Sequence, residues 1–260
     1  MRHIVTFVFS LLIFFSCKNE PTTPSQKETP ESKISQTYPA ELSKVFETHG
    51  SLETWKEMKA LSYEIVRENG NEKQWIDLTT RNERIEASNF KTGYDGKNYW
   101  LEADTSYKGN PKFYHNLMFY FYAMPFVLAD DGIVYSETDD LIFENQNYPG
   151  IRISYNDGIG ESPEDEYFIH YNPETYQMEW LGYTVTFYTG EKSKKVKWIR
   201  YNDWVNIEGL LLPQSLTWYN MEDDKITEPR SPRAFTNIQI SKEEPDQEMY
   251  LKTEKAVIVE

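Results

Sequence analysis

The sequence predicts a mainly β protein of the α+β class, a curved antiparallel half-barrel with N-terminal helices and an apolar plug helix against its concave face. Three observations predict it. Segments of period two, punctuated by turn residues, recur from Leu61 to Ile240. One stretch, Phe113 to Ala129, is apolar around its whole circumference apart from His115 and Asn116, so as a helix it must be buried. Two short stretches before Ala60 place their apolar residues at helical spacing. Length and composition agree, since antiparallel folds often run past 200 residues as one unit, and 19 Tyr, 14 Phe and 7 Trp argue against disorder. The 27 Lys plus Arg against 42 Asp plus Glu leave a net charge of −15, which repels phosphate backbones and removes nucleic acid from the expected partners.

Taken in order, residues 1–16 read as a signal peptide. Arg2 and His3 precede an apolar run from Ile4 to Phe15, broken only by Thr6 and Ser10. At about 1.5 Å per residue it falls well short of a bilayer core of roughly 30 Å. The run ends in Phe14-Phe15-Ser16-Cys17, whose cysteine is the only one in the chain and closes no internal disulfide. The arrangement resembles the lipobox of bacterial lipoproteins, with Phe14 where leucine is usual. That resemblance implies a Cys17 that carries acyl chains, becomes the new N-terminus and anchors the protein to a membrane of the cell envelope. The outer membrane is the expected location, at its periplasmic or external face. Residues 17–37 then form a flexible tether, with three prolines, no aromatic residue and one aliphatic, Ile34. Residues 38–260 are expected to form one domain.

Within that domain, Pro39 to Thr48 and Ser51 to Lys59 predict two short helices split at Gly50. Leu61, Tyr63 and Ile65 then alternate with polar residues, Asn69-Gly70 signals a hairpin, and Ile76 and Leu78 continue beyond it. Arg84 to Asn89 and Asn98 to Ala103 are further strands, the second entered through the turn at Asp95-Gly96. Asn110-Pro111 looks like a helix start for the plug, Pro125 should kink or end its first part near Met124, and Asp130-Asp131-Gly132 stops it. Strands resume at Ile151 to Tyr155, Glu166 to Tyr171, Tyr176 to Tyr188, Lys194 to Asp203, Leu210 to Asn220 and Ala234 to Ile240. In the third of these the apolar parity switches, and a bulge at Gly182 would reconcile its halves. The sheet is expected to hold about eight to eleven strands.

Four segments carry a resemblance: HGSLETWKEMK from His49 leading into LSYEIV, YDGKNYW from Tyr94, YFIHYNPETYQMEWL from Tyr167, and EGLLLPQSLTWY from Glu208. Together they resemble the outer-membrane lipoprotein carrier and receptor (LolA/LolB-like) superfamily and uncharacterised lipoproteins related to it. The resemblance covers roughly residues 40 to 240. It implies an incomplete antiparallel barrel lined by aromatics and closed by helices, holding acyl chains in the groove between. The carrier of that group is soluble, whereas an anchored chain is like the receptor, which puts a shuttle role in doubt.

No chemistry-bearing motif competes with a binding function. There is no Gly-rich phosphate loop, no paired cysteine and no Gly-x-Ser-x-Gly elbow. His49, His115 and His170 lie outside helical metal-ligand spacing, and a capping role is the plainer account of His49. The acidic stretch Asn156 to Glu166 matches no EF-hand and reads as a solvated hairpin loop. Asp130 and Asp131 are adjacent carboxylates whose separation sequence does not fix. The expected function is therefore non-catalytic binding of a lipid, acyl chain or other hydrophobic ligand, without cofactor or metal. The candidate lining is Phe113, Leu117, Tyr120, Phe121, Met124 and Leu128 from the plug helix, with Trp180, Trp198, Leu212, Leu216 and Trp218 from the sheet. Two other readings stay open: a structural or assembly subunit of an envelope complex, and an aromatic platform for glycans.

Overall fold

The structure, a computed structural model, describes residues 37–156 and 164–259. Cys17, the leader and nearly all of the tether lie outside the described residues, as do Asp157 and Glu161 of the acidic stretch. The two N-terminal helices form as expected, α1 over Ala40–Thr48 and α2 over Leu52–Glu57. Leu42, Val45 and Phe46 of α1 are buried along one stripe, and the Ser51 hydroxyl caps α2 by accepting from the Thr54 N–H. Gly50 between them has φ +106, and a Cβ there would lie 2.1 Å from the Gly209 carbonyl oxygen, so only glycine fits.

A meander follows: β1 (Ala60–Ile65), β2 (Glu72–Asp77), β3 (Glu83–Glu86), β4 (Phe90–Tyr94) and β5 (Tyr99–Ala103), each antiparallel to the next. After the helical segment come β6 (Ile133–Glu137), the hairpin β7 (Leu141–Phe143) and β8 (Gln146–Tyr148), then β9 (Gly150–Tyr155), β10 (Tyr167–Tyr171), β11 (Met178–Tyr183) and β12 (Lys197–Arg200). The hairpin β13 (Trp204–Ile207) and β14 (Leu210–Pro213) leads to β15 (Ser215–Glu222), β16 (Lys225–Pro229), β17 (Arg233–Ser241) and β18 (Val257–Val259). Fourteen of these strands make one open antiparallel sheet, ordered β18-β5-β4-β3-β2-β1-β17-β15-β12-β11-β10-β9-β6, with β16 beside β15. It is a curved open sheet, and β17 joins its two halves by pairing with β1 and β15. The count exceeds the expected eight to eleven because β4, β6, β16 and β18 are short or polar and give little alternation to read.

The plug is not one helix. It divides into α3 (Pro111–Tyr114), α4 (Leu117–Tyr122) and a 3₁₀ turn over Phe126–Ala129. The first break is tertiary in origin. Asn116 takes φ +54, and its backbone N–H donates to the buried Glu83 carboxylate, which also meets the His115 ring at 3.2 Å. Capture of this backbone donor by Glu83 outweighs helix continuation. The second break falls just before Pro125, as expected. Met118, Phe119, Phe121, Tyr122 and every residue from Ala123 to Leu128 are nevertheless buried against the core face of the sheet, in one cluster with Tyr63, Ile153, Ile169, Leu181, Ile199 and Phe235.

Candidate functional site

A groove of about 1120 Å³ lies between the helical segment and the core face of β11, β12, β15 and β17. Its apolar side is Leu117, Met118 and Phe121, facing Tyr183 and Trp218. Trp218 is fixed by its indole N–H, which donates to the Tyr183 hydroxyl at 3.0 Å, and Phe121 packs edge-on against it at 5.8 Å. The Tyr201 hydroxyl donates to the Phe121 carbonyl at 2.6 Å, tying α4 to the sheet. At the mouth, Lys195, Lys197 and Arg230 stand near Glu222, Asp223 and Asp224.

Behind Tyr114, which lines the groove, lies a polar network. The Tyr63 hydroxyl donates to Gln74 at 2.7 Å, and the Gln74 amide donates to Glu72 Oε1 at 2.7 Å. The Tyr114 hydroxyl reaches the same oxygen at 2.5 Å, while Arg67 donates to Glu72 Oε2 at 3.0 Å. Burial and the Glu72 carboxylate push the Tyr114 phenol well above its ordinary value, so it acts as a donor throughout the ordinary pH range. Arg233, on the core face of β17 opposite Leu216, lies over the Trp218 ring at 5.2 Å. Burial and the Arg67 charge lower its pKa.

Of the expected lining residues, the structure brings Leu117, Phe121 and Trp218 to the groove. Phe113 is half-buried against Phe187 and Tyr188, and Tyr120 is exposed. Met124, Leu128, Leu212 and Leu216 are packed into the core. Trp180 and Trp198 are on the other face. Trp180 packs with Phe143 and Tyr219 beneath the β7–β8 hairpin, and Trp198 packs against His170. The cause is a bulge one turn of alternation earlier than expected. Tyr171 pairs with Met178 and His170 with Trp180, so Glu179 is the extra residue and Gly182 is in regular register with Trp198. Arg233, Tyr183 and Met118 were missed; the alternation of β17 and β11 held the signal for the first two, since Arg233 shares parity with Phe235, and Tyr183 with Leu181.

The other expected groups have structural partners. His49 caps α1, its Nδ1 2.8 Å from the Val45 carbonyl, and burial lowers its pKa to about 4. His170 Nδ1 lies 3.0 Å from the Tyr148 carbonyl. Asp130 accepts from Arg81 at 2.9 and 3.0 Å, which offsets its position at the end of the apolar segment, and Asp131 is exposed. Glu164 pairs with Lys192, Asp165 accepts from the Thr186 N–H at 2.7 Å, and Glu166 pairs with Arg152. Among the described residues no group of three or more His, Cys, Asp or Glu is placed to hold a metal ion, and no helix is long and apolar enough to cross a membrane.

No curated protein sequence matches the chain. Among solved structures it is similar to a LolA superfamily protein, NE2245, from Nitrosomonas europaea, at 8% identity over 80% of this chain and 96% of that one, TM-score 0.49. It is also similar to a domain named for outer-membrane lipoprotein sorting from Vibrio parahaemolyticus, at 7% identity over 73% and 91%, TM-score 0.37. A DUF1329 family protein from Desulfovibrio piger is similar at 9% identity over 75% and 91%, TM-score 0.41. The model of a family of unknown function, DUF6503, matches residues 85–221, from β3 to the end of β15 and more than half of the sequence, and the chain belongs to that family.

Proposed function

We propose that the protein is a lipid-anchored component of the cell envelope that holds a lipid, acyl chain or other hydrophobic ligand in the groove beside Trp218, as a binding protein and not an enzyme. The observation that carries this reading is the groove itself. Its 1120 Å³ exceeds the roughly 300 Å³ that a small-molecule site needs, and its helical and sheet walls are tied by the Tyr201 hydrogen bond to Phe121 and the Phe121–Trp218 ring contact. The anchor rests on Cys17 behind a short apolar run.

Native mass spectrometry of the full-length protein purified from its host tests the groove. A co-purifying amphiphile, lost in Trp218→Ala, is expected; an empty wild-type protein that also fails to take up a neutral dye such as Nile red sinks the reading. Cys17→Ser should leave the protein soluble or unprocessed on cell fractionation. A membrane-bound variant of the correct mature mass would end the anchor proposal. The assembly-subunit reading draws on one observation, the exposed apolar residues Val257 and Ile258 on the edge strand β18. An empty groove together with a stable partner captured through that edge would favour it.

A further inference from the structure

We propose that the ligand of this groove is an anionic amphiphile whose carboxylate is received by Arg233. The inference rests on the groove reading above and adds the chemistry of the ligand's polar end.

Arg233 lies over the Trp218 ring at 5.2 Å, with its Nη1 3.6 Å from the Met118 sulfur. Among the described residues it makes no ion pair. The closest carboxylate in its electrostatic surroundings, Glu72, is already engaged. One of its oxygens accepts from Tyr114 and Gln74, and the other from Arg67. Arg233 lines the groove, while Arg67 sits behind Tyr114, paired with Glu72. A half-buried charge without a carboxylate partner carries a desolvation cost, and a ligand carboxylate would relieve it through the two-pronged geometry that guanidinium favours. The tail then has one place to go, along Leu117, Phe121 and Trp218.

The test is displacement of Nile red from the full-length chain carrying Cys17→Ser by three ligands that share one tail: dodecanoate, dodecanol and dodecylammonium. Dodecanoate is expected to displace the dye at least about tenfold more tightly than dodecanol, with dodecylammonium weakest, as a charge-assisted hydrogen bond allows. Arg233→Gln should bring dodecanoate to the level of dodecanol while dodecanol shifts by no more than about twofold, and Arg233→Lys should keep part of the preference. Equal displacement by acid and alcohol in the parent chain, or a parallel loss of both in Arg233→Gln, overturns the inference and leaves the groove standing. Failure of the dye and all three ligands to bind overturns the groove reading as well. Should Arg233→Gln fail to fold, the ranking of the three head groups on the parent chain decides by itself.

Discussion

Gly182 lies directly under Trp198 across the β11–β12 pair, where a Cβ would meet the indole ring at 2.9 Å. Val196 is as close to that Cβ position, so an added methyl would meet two side chains at once. Gly182→Ala should therefore overpack this outer-face layer and cost about 1–3 kcal/mol. Urea unfolding checks it; an unchanged midpoint would show that Trp198 yields freely.

This pair also shows what could be read in advance. Alternation in β1 and β9 is visible because one face is buried and the other is more exposed, and period two then appears directly in the residues. A bulge shifts every later side chain to the other face, and nothing local marks which residue is the extra one. Glu179 rather than Gly182 takes that place, which puts Trp180 and Gly182 on the outer face, and Trp198 is there because it pairs with Gly182. The broken plug was hidden for a different reason. The partner that stops it, Glu83, lies 33 residues from Asn116. The parity of Arg233 with Phe235 is legible in β17, whereas its place over Trp218 at 5.2 Å is a property of the folded neighbourhood.

His49 predicts a specific pH dependence. Burial holds its folded pKa at about 4, against an ordinary value of 6.5, so the unfolded chain binds more protons between those two pH values. Stability from a neutral His49 is complete above about pH 6.5 and is lost progressively as pH falls toward 4, to a total of about 3 kcal/mol at 1.36 kcal/mol per pKa unit. The difference between the parent chain and His49→Gln in unfolding free energy, followed from pH 7 to 4, should shrink by that order. Parallel curves would place the titration elsewhere.

Leu216 and Trp218 share one face of β15 but predict opposite phenotypes. Leu216 is fully buried in the core, and Leu216→Ala should cost about 2–5 kcal/mol while leaving dye binding intact in the folded fraction. Trp218 is half-buried at the groove wall, and Trp218→Ala should lower dye affinity more than it lowers stability. Equal effects on binding from both variants would mean that the groove extends into what is packed as core.

Glu72→Gln separates stability from ligand charge. Glu72 collects hydrogen bonds from Tyr114, Gln74 and Arg67, and its side chain is 5% exposed. Neutralising it leaves Arg67 and Arg233 facing each other without compensation, and a buried pair broken at one end costs about 3–5 kcal/mol. The 33% exposure of Arg67 reduces that to about 1–3 kcal/mol, because water screens the freed guanidinium. The same change removes a negative charge that acts on Arg233 and would repel a ligand carboxylate there. Glu72→Gln should thus unfold at lower urea yet bind dodecanoate several-fold more tightly, with dodecanol unaffected. A variant weakened toward both ligands alike would show that Glu72 shapes the groove and leaves its charge preference untouched.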